Sequence, residues 1–317
     1  MTSSRSSRIG SSDLTVFPLA LGGNVFGWTA DEQQSYAVLD AFTAAGGDFV
    51  DTADVYSTWA PGNQGGESET IIGAWMAARG NRDSVVVATK VGAHPDYRGL
   101  EGANITAATE QSLRRLGTDR IDLLYTHYDD VDTPIEEIVT ALDGLVRSGK
   151  VRHVAASNIS ADRLTAALEF AQREGLAPYV AVQPLYNLVA RDAYEGELAA
   201  VATRFGLSAI PYYGLAAGFL TGKYRVGGPA VDSPRADGAG KYLRTPRGPK
   251  VLEALDSVAA DHRAEPATVA LAWLAAQPTV AAPIASARTL EQLPALLAFP
   301  ELELSADQLA LLDAASR

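Results

Sequence analysis

The chain has 317 residues, 47% hydrophobic and 20% charged, which is enough apolar material for a sizeable core and within the length that strand–helix barrels reach as one unit. Its formal net charge of -12 disfavours non-specific attraction to phosphate backbones and anionic lipid, so neither nucleic acid nor a membrane is an expected partner. The absence of cysteine excludes disulfides and thiolate catalysis. No apolar run has the length of a membrane span or of a signal-peptide core, and the expectation is a cytoplasmic protein.

In chain order, "RIGSSDLTVF" alternates around a Ser-Ser-Asp turn and reads as an N-terminal hairpin. Eight short apolar runs follow: Phe17–Leu21, Phe49–Val50, Val85–Thr89, Leu123–Thr126, His153–Ala156, Val180–Val182, Ser208–Ile210 and Val280–Ile284. Helical segments lie between them. Asp31 caps one reaching Ala45, Glu67–Arg79 ends at Gly80, Asn104 caps one ending before Gly117, and Pro134 starts one ending at Gly149. Ser160–Arg173, Asp192–Phe205, Pro266–Gln277 and Leu290–Ala298 repeat the rhythm. Pro249–Arg263 and Ser305–Ala315 are extra helices. Eight strand–helix units without a linker predict an α/β fold, a (β/α)8 TIM barrel with an N-terminal β-hairpin and extra C-terminal helices, spanning 1–317 as a single domain.

A barrel of this kind places its site at the C-terminal ends of the strands. There the sequence supplies Gly22-Gly23-Asn24, then Asp51 and Tyr56, Lys90, His127, Ser157-Asn158, Gln183, Tyr212-Tyr213, and finally Ser286 and Arg288. Asp51, Tyr56, Lys90 and His127 form a chemical set. A phenol is a weak acid at neutral pH, a neighbouring ammonium favours its ionised form, and a carboxylate keeps that ammonium charged and in place. His127 can orient the oxygen that receives the proton, so the set reads as a proton donor facing a carbonyl. Taken singly, a Lys–Asp pair is more often structural, a loop tyrosine packs, and an interior histidine is merely satisfied. His127 precedes three aspartates, Asp129, Asp130 and Asp132, but no second histidine stands at ligand spacing, so no metal is expected. Carbonyl reduction needs a hydride that no side chain supplies, hence a nicotinamide, although "GGNVFG" lacks the Rossmann spacing and "GLVRSGKV" lacks the Ser or Thr of a phosphate loop.

The motifs "DTADVY", "VATKVG", "LGTDRIDLLYTH", "SNIS", "VQPLYN", "GFLTGKY" and "ARTLEQL" occur in the order found in aldo-keto reductases, which the chain resembles over essentially its whole length. The resemblance implies an NAD(P)H-dependent reductase of aldehydes or ketones, binding a small carbonyl substrate and NADPH in preference to NADH, with no oligomeric state implied. It implies Tyr56 as general acid, Lys90 and Asp51 as its tuning pair, and His127 as the group that positions the carbonyl. By the same resemblance Ser157, Asn158 and Gln183 hold the nicotinamide carboxamide and Tyr212 stacks under the ring. Leu215, Ala217 and Gly218 follow the pyrophosphate, and Ser286, Arg288 and Gln292 meet the adenosine end. Asp54 matches a variable position and is expected to face solvent. Three departures from the family pattern are Tyr213 in place of a small hydroxyl residue, Ser286 in place of glycine and Leu296 in place of an asparagine. Thr221–Gly248 could be a lid or a plain loop, while Trp28, Trp59 and Tyr128 suggest an apolar or aromatic substrate pocket. A different reading of the same barrel is a nucleotide-sensing subunit with little turnover.

Overall fold

The structure, a computed structural model, describes residues 6–317; residues 1–5 of the expected 1–317 unit lie outside the described residues. Strands β1 (Ser7–Arg8) and β2 (Thr15–Val16) pair antiparallel as the expected hairpin. An eight-stranded parallel sheet follows, made of β3 (Ala20–Gly22), β4 (Phe49–Asp51), β5 (Val86–Val91), β6 (Ile121–Thr126), β7 (Val151–Ser157), β8 (Tyr179–Gln183), β9 (Ser208–Ala209) and β10 (Ile284–Ala285). The spatial order runs from β10 through β3 to β9 in sequence. The remaining seam is closed by Ala209, which donates to Thr279 O at 2.8 Å and accepts from Ala281 N at 3.0 Å. A (β/α)8 barrel results.

Most strands differ from the sequence reading by one or two residues at an end; two start three or four residues late, each because of a proline. The first was expected over Phe17–Leu21, but Pro18 has no N–H to give to a ladder, and Phe17 N instead donates to the Asp48 carboxylate at 2.7 Å. The last was expected over Val280–Ile284. Pro283 interrupts it, so Val280 bridges Ala209 on one side while Ile284–Ala285 pair with Ala20–Leu21 on the other.

The helices are α1 (Glu32–Ala44), α2 (Glu67–Arg79), α3 (Gly102–Leu116), α4 (Ile135–Arg147), α5 (Ala161–Glu174), α6 (Glu197–Phe205), α7 (Ala236–Gly240), α8 (Arg247–His262), α9 (Pro266–Ala275), α10 (Leu293–Leu297) and α11 (Ala306–Ser316). Asp31 caps α1 through a capping box with Gln34, as its spacing suggests. Asn104 is not a cap: it lies inside α3 and reaches back to the carbonyls of Tyr97 and Gly99. Pro134 stands at the N-cap of α4 instead of in its first turn. Helix α6 begins five residues later than the expected Asp192, after a run of turns.

Strand parity decides what faces the interior, because alternate side chains of a strand point to opposite faces. Phe49, Ala88, Leu123, Tyr125, Ala155 and Ala181 fill the barrel lumen, and Val50, Val87, Leu124, Val154 and Val182 pack against the helices. Ile9, Leu14 and Val16 of the hairpin join the lumen cluster and close its N-terminal end. The hairpin sits tight there: Gly10 has φ +51°, and a Cβ on it would lie 2.1 Å from the Val180 carbonyl oxygen.

Candidate active site

Continuing the inward parity upward from Phe49, Ala88, Tyr125, Ala155 and Ala181 gives Asp51, Lys90, His127, Ser157 and Gln183. Five strands therefore deliver one polar layer at the C-terminal mouth. Lys90 Nζ donates to Asp51 Oδ1 at 2.5 Å, to Thr52 O at 2.8 Å and to Tyr56 Oη at 3.0 Å. Asp51 Oδ2 accepts from Gln183 Nε2 at 2.9 Å. Lys90 and Asp51 are each 1% exposed, beneath the cavity floor.

Burial pushes the Asp51 carboxyl up, while Lys90 and Gln183 pull it down. Burial also opposes the charge on Lys90, yet Asp51 and Tyr56 raise its pKa overall. With the ammonium favoured and 2.5 Å away, the ionised pair is the state we assign. The Tyr56 pKa is raised, contrary to the expected net lowering. Burial of the phenol is the largest cause, and Asp51 offsets part of what Lys90 contributes in the other direction. Tyr56 is thus a protonated phenol at neutral pH, with its oxygen accepting from an ammonium. Burial, and then Lys90, hold His127 well below the usual imidazole range, so the ring is neutral, and its Nδ1 has no hydrogen-bond partner among the described residues.

Above this layer opens a cavity of about 980 Å³. It is lined by Trp28, Tyr56, Trp59, His127 and Tyr128, by Ser157, Asn158, Gln183 and Tyr212, and by Leu215, Ala217, Gly218, Ser286, Arg288 and Gln292. All residues expected at the cofactor and substrate sites therefore meet one space. Trp28 and Trp59 meet edge to face at 5.6 Å, Trp59 approaches Tyr56 at 6.0 Å, and Tyr128 stacks on His127 at 4.8 Å. Asn158 Nδ2 donates to His127 O at 2.8 Å, and its Oδ1 accepts from Tyr212 Oη at 2.9 Å. Ser286 Oγ donates to Asn24 Oδ1, and Gln292 Oε1 accepts from Arg288 N. Tyr213, Ala216, Ala217 and Gly218 all have positive φ, so the backbone turns sharply along this wall, and Gly218 N already donates to Leu215 O.

Among the lining residues that escaped the sequence reading are two cations, Lys223 and Arg235 in the Gly- and Pro-rich segment, and two acids, Glu265 and Glu291. The only signal of the two cations was positive charge within that segment. Arg235 lies over the Trp28 ring at 5.6 Å and ties the segment across the mouth. Burial lowers the pKa of both cations, and repulsion among Lys223, Arg235 and Arg288 adds to it, with no carboxylate paired to any of the three among the described residues. Unpaired cations lining a cavity in a chain of net charge -12 suit a phosphorylated ligand, and this donor set fits a nicotinamide dinucleotide. Asp54 departs from expectation. It is buried at 1% exposure, because the turn after β4 folds it beneath the loop towards α2 and α3. Asp129 pairs with Arg163, and Asp130 accepts from Leu100 N and Thr133 Oγ1. Among the described residues no group of three or more His, Asp or Glu side chains could hold a metal.

A family model described as the aldo/keto reductase family matches residues 18–317. The chain belongs to the aldo/keto reductase family. Among its relatives, the uncharacterized oxidoreductase YrpG of Bacillus subtilis is 35% identical, covering 96% of this chain and 94% of its own. Protein tas of Escherichia coli is 32% identical over 97% of this chain and 96% of its own. The aryl-alcohol dehydrogenase [NADP(+)] of Phanerodontia chrysosporium is 32% identical over 95% of this chain and 82% of its own. This aldo/keto reductase is an oxidoreductase of a family that uses nicotinamide cofactors and acts on small carbonyl compounds. No helix among the described residues is long and apolar enough to cross a membrane.

Proposed function

We propose that this enzyme reduces an aldehyde or ketone to the alcohol with NADPH, aromatic aldehydes being the preferred class, and that Tyr56 delivers the proton. The observation that carries the reading is the 3.0 Å contact from Lys90 to the Tyr56 oxygen, set between a buried ion pair and an aromatic-lined cavity. Because Lys90 donates into that oxygen, the phenol's own hydrogen is left to point at a carbonyl oxygen in the cavity. As negative charge develops on the carbonyl oxygen, the proton moves from Tyr56, and the ammonium stabilises the phenolate left behind. Asp51 keeps Lys90 charged. His127, neutral, places its N–H on the same carbonyl oxygen. A bound nicotinamide supplies the hydride.

Ser157 and Asn158 would hold its carboxamide together with Gln183, whose amide nitrogen is committed to Asp51 and whose oxygen remains to accept. Tyr212, fixed through its hydroxyl to Asn158, would stack on the ring. Lys223 and Arg235 would meet the diphosphate, and Arg288 a 2′-phosphate, which is the basis for NADPH over NADH. The wall of Trp28, Trp59 and Tyr128 supports a flat aromatic substrate, and the name of the fungal relative, an aryl-alcohol dehydrogenase, points the same way. NADPH consumption over aromatic aldehydes, sugars and small ketones, with wild type beside Tyr56→Phe, tests the reading. Turnover that depends on Tyr56 supports it, and full activity in Tyr56→Phe would refute it.

A further inference from the structure

The loop carrying Tyr56 and Trp59 begins and ends on a buried carboxyl group. Asp54 opens it, and Glu69 in the first turn of α2 closes it; they are 1% and 0% exposed. Glu69 is fully engaged, accepting from Thr89 Oγ1 at 2.5 Å and pairing with Arg115 Nε at 2.6 Å. Among the described residues neither oxygen of Asp54 has a partner at hydrogen-bonding geometry, and the amides of Gly92 and His94 face it more loosely. The charged groups acting on Asp54 are Glu69 from α2 and Arg115 from α3, so one guanidinium serves two carboxyls. Burial, with Glu69 adding to it, pushes the Asp54 carboxyl up to about 8 against the weaker pull of Arg115 and the two amides. At neutral pH the pocket then holds one carboxylate, one guanidinium and one neutral acid.

The backbone of Asp54 is wired to the reacting groups. Its N–H donates to the Lys90 carbonyl at 3.0 Å, and it is an inner residue of the turn closed by Tyr56 N to Ala53 O. The far end of the loop is equally tight. The Glu67 carboxylate accepts from Gln64 N and Gly65 N at 2.7 and 3.0 Å. Gly66, at φ +82°, lies so close to Arg115 that a Cβ would come within 2.3 Å of its Cδ. With both ends fixed, repulsion between the two carboxyls has only the intervening loop to move.

We propose that Asp54 is a positioning residue for Tyr56 and Trp59 that works only in its protonated form, and that its ionisation against Glu69 displaces the loop and sets the alkaline limit of turnover. The kinetic part rests on the reductase reading, while the conformational part does not. The sign follows from linkage: the folded protein keeps the Asp54 proton above pH 3.8, where the unfolded chain has released it, so the site weakens the fold progressively up to about pH 8. Asp54→Asn keeps the neutral shape and removes the titration.

The test follows tryptophan emission of the ligand-free protein, and kcat and KM on an aromatic aldehyde, from about pH 6 to about pH 9.5. Wild type is expected to show an emission transition near pH 8 that is absent from Asp54→Asn and from Trp59→Phe. Over the same range kcat/KM of wild type is expected to fall roughly tenfold and that of Asp54→Asn less than about twofold. Glu69→Gln, which frees Arg115 for Asp54, should move the transition to lower pH. An emission transition in Asp54→Asn matching wild type, or identical pH profiles of kcat/KM, would overturn the proposal. If no substrate is turned over, the emission titrations of Asp54→Asn and Glu69→Gln still decide it, and the reductase reading stands or falls separately on Tyr56→Phe.

Discussion

The two ends of the barrel handle charge in opposite ways. At the N-terminal end, Asp13 of the hairpin turn pairs with Arg152 and His153, Arg152 also reaches Asp122, and Asp122 pairs with Arg82 and accepts from Val87 N. Every carboxylate in that chain has a cation, and the groups are half-open to solvent or bridge to it. At the C-terminal end Lys90 and Asp51 pair, but among the described residues Lys223, Arg235 and Arg288 have no carboxylate paired to them, His127 Nδ1 has no hydrogen-bond partner, and burial favours the protonated form of Asp54. The closed circuit at one end fastens the fold. At the other end the cations Lys223, Arg235 and Arg288 line the cavity and are open to a ligand, which is why we place the proposed site there.

The contrast can be broken from either side. Tyr56→Phe should lower turnover by roughly 10² to 10⁴ while leaving the melting temperature and NADPH binding unchanged, measured by initial rates, calorimetry and nicotinamide fluorescence. Lys90→Met strands the Asp51 carboxylate in the lumen, and a loss of about 3–5 kcal/mol of stability together with turnover is expected from denaturant unfolding and rates. Gly10→Ala drives a methyl group into the Val180 carbonyl at the opposite end, costing about 1–3 kcal/mol in urea unfolding and leaving KM for NADPH intact. Arg288→Leu should weaken NADPH about tenfold, the magnitude of one lost charge-assisted contact, and leave NADH unchanged in titration. Asp13→Asn should cost less than about 1 kcal/mol, because the pair is largely exposed. The His153 and Arg152 contacts hold the Asp13 carboxyl below its ordinary 3.8, so its small contribution is complete above that pH and fades as pH falls through the lowered value, a trend that acid unfolding would trace.

Much of the architecture was legible because strand ends and glycine stops are local signals. Gly80 and Gly117 end α2 and α3 in left-handed conformations. The convergence of the proposed site residues was legible for a second local reason, since residues two apart on a strand share a face, so Asp51 follows the parity of Phe49 and Lys90 that of Ala88. What failed was non-local. Nothing near Asp54 in the chain reveals that Glu69 and Arg115, on two different helices, enclose it. The phenol's upward shift likewise depends on how deeply neighbouring strands bury Tyr56, which residue types alone do not encode. Proline's missing N–H was visible at Pro18 and Pro283, but which strand would have used it was not.

The seated hairpin has one further consequence. By covering the side-chain-filled lumen from below, Gly10 and its neighbours leave the C-terminal mouth as the end on which the cavity opens, so whatever this barrel binds there meets a floor that the hairpin helps to hold rigid.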